Sequence, residues 1–435
     1  GRRLTLPFFV ASLVATWYGN ILGIGEFVYT SGVVGWVCFG LPYYFAGVGF
    51  AFFIAKRIRE SNVKTIPEQM TLKYGEKVGW FSSLLVLVIS VPAAYILILG
   101  VIVQLFTGWE LWICISFGAF LSLVFLFKGG FKADVYTNSV QFILMYLGFF
   151  VLIFFTISRL GSPAEMLTHL PHAHKTFTGN AGIQLIIVWF LISLQTFVDP
   201  SFHQRCSAVK TPSVAKKGVL ISVLFWVLFD LMTLTAGLYS RAFFDIPLPV
   251  SAFTVLGESV LPVFWKGFFV VSLLATVMST LDSYAFISAV TIGNDILSPL
   301  LKKIKPEKSF SAETLTKWGL LLTSVAGVFM AIILPSAVQL IYKTASVAIP
   351  GLLVPLMLSY SGRFEIQKKQ IFILMLSSVA LALFWMFSRA FDFIGIAQNN
   401  ILGAVEPMLP GLILSVIFAL IFVKKKRVSD EKRIS

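Results

Sequence analysis

Twelve apolar runs, each about 20 residues or longer, leave this chain few folds to choose from. They cover residues 7–31, 34–55, 78–107, 109–127, 135–158, 183–202, 214–241, 265–297, 314–334, 338–359, 370–387 and 407–423. A helix of about 20 residues crosses a ~30 Å hydrocarbon core. Inside lipid the backbone must satisfy its own polar groups, so repeated runs of this kind mean a helical bundle. Charged residues make up 12% of the chain, against about 25% in soluble domains. The expectation is an all-α polytopic membrane protein, one transmembrane domain over residues 1–435, with the lipid bilayer as its surroundings.

Charges between the runs give an orientation. The net charge is +14, yet the basic residues punctuate apolar runs instead of forming one polar face, so nucleic acid is not the expected partner. If the first run starts in the cytoplasm, 28 of the 34 Lys and Arg fall on cytoplasmic pieces, Arg205 among them. That asymmetry follows the positive-inside rule and puts the C-terminus, a basic tail at residues 424–435, in the cytoplasm. Gly1-Arg2-Arg3 reads as a loop entered mid-protein, after one further peripheral helix. Cys38, Cys114 and Cys206 are scattered and show no metal spacing. His169, His172 and His174 share an outer loop, and with no carboxylate or Cys to complete a ligand set the loop reads as solvated.

Residues 273–295 lie in the eighth run but carry a compact polar face. At 100° per residue Ser272, Thr276, Ser279, Thr280 and Ser283 fall on one side of a helix, with Asp282 on its flank. Hydroxyl oxygens at this spacing suit a hard cation such as Na⁺. They equally suit back-bonding to the helix or gluing of helices. The first run is expected to break at Asn20–Glu26, where Gly23, Gly25 and Glu26 weaken a helix. The sixth run is disturbed near Asp199-Pro200. Breaks five helices apart match two inverted repeats, and broken helices form midplane sites in secondary transporters. An ionisable group in a span costs roughly 2.5–3.5 kcal/mol on insertion scales, so Glu26 and Asp230 are functional candidates. For Asp230 an interhelical hydrogen bond serves as well. Asp134, beside Lys132, reads as half of a structural ion pair near the cytoplasmic end.

Several motifs then coincide in order. Ala15-Thr16-Trp17-Tyr18 precedes Leu22-Gly23-Ile24; Thr65-Ile66-Pro67-Glu68 precedes Lys73-Tyr74-Gly75. Gly129-Gly130 leads to Tyr136-Thr137 and Gln141; Asp199-Pro200 leads to Gln204-Arg205 and Lys210; and Met278-Ser279-Thr280-Leu281-Asp282-Ser283 follows. In these the chain resembles the sodium:solute symporters, carriers of proline, pantothenate, sialic acid, sugars and iodide. The resemblance implies a LeuT-type fold of 13 helices in the family and about 12 in this chain. Residues 5–160 would form the first repeat, 182–360 the inverted second, and 367–424 two peripheral helices. It also implies a sodium site from the carbonyls of Leu13, Thr16 and Thr276 and the hydroxyls of Ser279 and Thr280. A second ion or proton site would involve Asp282, Asn138 and Ser283, with Asn138 standing where some members carry an Asp. The substrate cavity would hold Gly19, Asn20, Gly23, Tyr95 and Gln195, with Glu26 at its border. Ile192, where sugar carriers place an Asn, disfavours a sugar.

The expected function is Na⁺-coupled import of a small organic solute by alternating access, by a monomer in the plasma membrane. No nucleotide-binding loop and no nucleophile–base constellation is legible, so neither an ATP motor nor an enzyme is expected. Two alternatives remain at this level. One is H⁺ coupling through Glu26, Asp230 or Asp282. The other is a non-transporting sensor, against which the short stretch after Val423 speaks.

Overall fold

The structure is a computed structural model that describes residues 3–179, 182–304, 310–334, 336–391 and 405–425. Gly1-Arg2, the basic loop at 305–309 and the tail at 426–435 lie outside the described residues.

The first apolar run splits into α1 (Leu6–Ala15) and α2 (Ile21–Ser31). The split falls at Thr16–Asn20, upstream of the expected Asn20–Glu26. Trp17 N–H turns to Val14 O at 3.2 Å, so Leu13 O loses its usual helical donor. Gly23 and Gly25 do not break α2. They sit within it, and a Cβ at Gly25 would lie 2.9 Å from the Phe253 ring, so close packing explains that glycine. Next come α3 (Val34–Phe53), α4 (Glu76–Ser90) and α5 (Ala93–Thr107). Val91-Pro92 separates the last two, a pair the periodicity joins into one run.

The fourth and fifth runs form α6 (Leu111–Leu160), interrupted only at Gly130 with φ 59° and ψ −174°. The expected cytoplasmic loop at Lys128–Lys132 thus shrinks to one non-helical residue. The sixth run splits as expected. α7 (Ile183–Ile192) tightens into a 3₁₀ turn at Ser193–Phe197 before α8 (Pro200–Ala208) starts. Pro200 opens α8, where its missing N–H costs nothing. Asp199 caps α8 by accepting Ser201 N–H at 2.7 Å.

Beyond lie α9 (Pro212–Phe243) and α10 (Val263–Val290), which runs on through a π-helical stretch at Thr291–Leu297. Then follow α11 (Ala312–Ile333), α12 (Ala337–Ser359), α13 (Lys368–Phe391) and α14 (Met408–Phe422). Among the described residues nine helical spans are long and apolar enough to cross a membrane. Leu6–Ala15, Leu111–Val124 and Met408–Phe422 are shorter apolar helices.

α10 runs along α6, with α5 and α11 beside it, while α1 packs on α6 and α9 and α2 lies against α9. α12, α13 and α14 form a group at the flank. The breaks of α1/α2 and α7/α8 therefore face the interior. The outer loop is less solvated than its composition predicts. His174 is buried, with Nε2 3.1 Å from Tyr29 O, and its carbonyl accepts Val33 N–H at 3.0 Å. His169 and His172 stay exposed.

Gly130 gives a test of this frame. Its backbone lies where residues with a Cβ pay about 1–3 kcal/mol, yet a Cβ there would meet nothing within 4 Å. Gly130→Ala should therefore lower stability by about that amount through backbone strain alone. Thermal unfolding of the detergent-purified protein measures it, and an unchanged Tm would contradict the kink.

Candidate ion and substrate site

The polar face of α10 is buried throughout: Ser272, Thr276, Ser279, Thr280 and Ser283 are at most 1% exposed. Its members divide by partner. Ser272 and Thr276 bond back to their own helix, to Phe269 O and Ser272 O, both at 2.7 Å. Ser279 Oγ instead lies 2.7 Å from Ala15 O, the last carbonyl of α1, and 2.8 Å from Thr276 O. A single hydroxyl proton cannot serve both carbonyls at once. Thr280 Oγ1, one residue on, is buried with no hydrogen-bond partner among the described residues. A Cβ on Gly19 would lie 2.6 Å from Thr280 Cβ and equally tight against the Tyr95 ring, so only glycine lets the break approach α10 this closely. Oxygens of Ala15, Thr276, Ser279 and Thr280 thus gather where α1 stops. The residues fit a hard cation by donor type: carbonyls and hydroxyls, one left unpartnered. The carbonyl reaching α10 is that of Ala15, between Leu13 and Thr16.

A second cluster lies further along the same face, toward the C-terminal end of α10. Arg205 of α8 is fully buried. Its Nη2 donates to Thr16 Oγ1 at 2.7 Å and to Ser283 Oγ at 3.0 Å, its Nε donates to Ser12 Oγ at 3.2 Å, and it pairs with Asp134 Oδ2 at 3.5 Å. Asp134 accepts from Ser283 Oγ at 2.7 Å and from Asn138 Nδ2 at 3.2 Å. Asn138 Nδ2 also reaches Ser283 Oγ at 2.9 Å. So Asp134 does belong to an ion pair, with Arg205 and not with its neighbour Lys132. Arg205, counted by sequence as a cytoplasmic loop charge, is an interior residue. Asn138 and Ser283 meet here, but Asp282 turns the other way and accepts Ser122 Oγ–H at 2.6 Å. Asp282 Oδ2 and Asn138 Oδ1 find no partner among the described residues.

Above these clusters the α1/α2 break opens onto a central cavity of about 100 Å³. Asn20, Tyr95 and Gln195 line it; Gly19 and Gly23 sit behind it, the latter under the Asn20 side chain. Glu26 lies on an exposed face of α2, outside the lining. Two acids line the cavity that sequence reasoning did not place there. Asp230 accepts hydrogen bonds from Tyr18 at 2.9 Å and Tyr44 at 2.5 Å. Asp199 accepts one from Tyr284 at 2.5 Å. Asp230 therefore makes the interhelical bonds weighed for it and faces the cavity as well. The signal available in sequence for Asp199 was its place beside the break.

Paired broken helices beside an oxygen-rich pocket are the architecture of the LeuT fold. The family model for the sodium:solute symporter family matches residues 1–367, and the chain belongs to that family. It is 28% identical to a sodium/pantothenate symporter of Haemophilus influenzae over 58% of this chain and 55% of that protein. It is 24% identical to the sodium/pantothenate symporter of Escherichia coli, over 62% of this chain and 58% of that one. The chain thus spans little more than half the length of these relatives. A Na⁺-coupled sialic acid symporter, solved substrate-bound and outward-open, superposes with a TM-score of 0.77 at 14% identity, covering 98% of this chain and 92% of that one. The family consists of transporters, not enzymes.

The Arg205 network has a measurable weight. Removing one partner of a buried pair costs about 3–5 kcal/mol because a charge is left uncompensated. Arg205→Met should destabilise by that amount, and Arg205→Met with Asp134→Asn should recover part of the loss. Additive losses in chemical unfolding would show that the two do not form a pair.

Proposed function

We propose that the protein is a Na⁺-coupled symporter that carries a small organic solute into the cell by alternating access. The observation that carries this reading is the α1–α10 junction, where Ser279 Oγ touches Ala15 O beside the unpartnered Thr280 hydroxyl. Na⁺, as cargo, would take the Thr276 carbonyl, the Ser279 and Thr280 hydroxyls, and carbonyls at the end of α1. Leu13 and Thr16 were implied by resemblance, and the contact with Ala15 adds a third candidate. The solute would occupy the cavity of Asn20, Tyr95 and Gln195 on the far side of the same break. Relatives named for pantothenate and proline support a small solute.

In this mechanism residues 5–160 and 182–360 are the two inverted repeats, and one bundle rocks against the other. Na⁺ joining α1 to α10 holds the break in one arrangement. Coupling requires that this arrangement bind Na⁺ more tightly than its alternative, since equal affinity shifts nothing. Monomeric action in the plasma membrane, with the C-terminus cytoplasmic, completes the reading. The positive-inside charge pattern supports that orientation.

One observation favours a further coupling charge. Asp282 Oδ2 and Asn138 Oδ1 are buried acceptors without partners among the described residues, and Arg205 already pairs with Asp134. Asp282 therefore stands without a counter-cation, and a proton or second Na⁺ there would balance it.

Two tests follow. Thermal stability in Na⁺ against K⁺ at equal ionic strength should rise with Na⁺, because a ligand of the folded state stabilises by mass action. Ser279→Ala and Thr280→Ala should each raise the Na⁺ concentration for half the effect about tenfold, the equivalent of 1.4 kcal/mol. Unchanged Na⁺ dependence in both would sink the site. If a proton is the balancing charge, Asp282→Asn should leave that response intact and abolish any dependence of uptake on pH; if a second Na⁺ is, the variant should weaken the Na⁺ response instead. A pH response surviving in the variant would remove Asp282 as a proton carrier.

A further inference from the structure

The central cavity has a charge its ion site does not explain. Two carboxylates line it, and no Lys, Arg or His is among its lining residues. Asp230 takes part in none of the salt bridges found among the described residues. Its donors are neutral hydroxyls, those of Tyr18 and Tyr44. Asp199 is likewise held by a hydroxyl and by one backbone N–H of α8. The side chain of Asp230 is half-buried, reachable from the cavity and not sealed away from it.

The rest of the wall is aromatic. Trp17, Tyr43, Tyr95 and Trp189 present rings to the space, and Tyr284 packs beside Tyr95 with ring centroids 5.3 Å apart. Ring faces attract cations through their quadrupole, more strongly when water is excluded. Two lining residues also offer unused polar atoms: Asn20 Oδ1 and Tyr342 Oη are buried without a partner among the described residues. An amide oxygen can only accept, so it asks for an N–H or O–H donor.

We propose that the solute is a small organic cation with an ammonium head, held between these rings with Asp230 as its counter-charge. The inference rests on the reading of this cavity as the substrate site of a Na⁺ symporter and names the substrate class that the reading leaves open. A carboxylate solute would find no basic side chain on the wall and would meet two carboxylates in a low-dielectric space, where like charges repel strongly. A neutral sugar would satisfy Asn20 but leave the ring faces and Asp230 without a cation. A cavity of about 100 Å³ suits a head group of a few heavy atoms.

The experiment uses the whole purified protein in lipid nanodiscs and reads the Na⁺-dependent rise in thermal stability with matched probes. Choline is set against its uncharged isostere 3,3-dimethylbutan-1-ol and its zwitterionic relative glycine betaine. Ethanolamine is set against ethylene glycol and glycine, and pantothenate serves as the anion. The expected result is further stabilisation by choline or ethanolamine in Na⁺, and none by the uncharged or anionic member. Asp230→Asn should weaken the response to the cation at least about tenfold, a change of 1.4 kcal/mol, while the stabilisation by Na⁺ alone stays.

Stabilisation by the neutral, zwitterionic or anionic probe but not the cations overturns the proposal, as does silence of every cation while the Na⁺ response persists. An Asp230→Asn protein that keeps full cation affinity overturns it too. Loss of the Na⁺ response in the unmodified protein is a different failure, that of the symporter reading itself. The probe comparison needs no variant, so it decides the matter even if Asp230→Asn does not fold.

Discussion

A guanidinium with no access to water is the constraint that most of this interior answers to. Arg205 would be intolerable in the bundle if its donors were unmet, because burying a charge without partners costs several kcal/mol. Its partners come from three other places: Ser12 and Thr16 at the end of α1, Asp134 on α6, and Ser283 on α10. Four elements are thereby tied at one level. The tie fixes the end of α1 against the polar face of α10, and that contact is what brings Ala15 O to Ser279. A helix that merely frayed at Thr16 would leave carbonyls free without aiming them. Here Thr16 is held from both sides, donating to Ser12 O and accepting from Arg205.

The two polar clusters on α10 differ in a way that follows from their partners. Around Ser279 and Thr280 the groups are neutral oxygens, and one of them is unused. Around Ser283 the groups are charged and mostly paired. A mobile cation competes best where no resident cation already sits, so the proposed Na⁺ site would be the Ser279–Thr280 cluster and not the Ser283 one. In the latter Arg205 does part of the work that a bound cation would do, and Asn138 matches this by offering an amide where a carboxylate would add charge. Asp282 faces Ser122 on α6 and so lies apart from the Arg205 network despite its sequence neighbour.

Much of this was legible in the sequence because periodicity reports burial. The polar stripe from Ser272 to Ser283 stands out at 100° per residue, and all five residues are interior. The two breaks were legible to within a few residues, since Asp199-Pro200 marks a helix start and the expected Asn20–Glu26 break adjoins the observed one. The first break was misplaced because Gly23 and Gly25 look like helix breakers and are packing contacts. Glycine carries both meanings, and only the facing side chain, Phe253 or Asn20, separates them. Arg205 was misread for a related reason: loop charge counting assigns every basic residue between runs to water, and nothing in one sequence shows that Asp134 waits opposite. Asp230 was visible as an acid in a span, but its tyrosine donors come from α2's approach and α3, which no local pattern reveals. The junction of Lys128–Lys132 looked like a loop because two charges and two glycines usually mean one; a single residue at positive φ suffices to turn the helix.

The break itself explains how an ion site and a cavity can be one device. Its five residues are held by several elements at once. Thr16 is bonded to Arg205 of α8. Trp17 stacks on Trp226 of α9 with centroids 5.0 Å apart and meets Phe202 of α8 edge-on. Tyr18 donates to Asp230 of α9. Gly19 leaves room for Thr280 of α10 and Tyr95 of α5, and Asn20 turns toward the cavity. Five non-helical residues held at both ends by helices and by side-chain contacts along their length do not move one at a time. On the proposed reading, a cation drawing the Ala15 carbonyl toward α10 would also set Trp17, Tyr18 and Asn20, which line the cavity. Occupation of the cavity in turn biases the same backbone toward or away from the cation. By thermodynamic linkage the two effects are equal, so a segment too short to bend independently makes binding of one cargo a condition on the other.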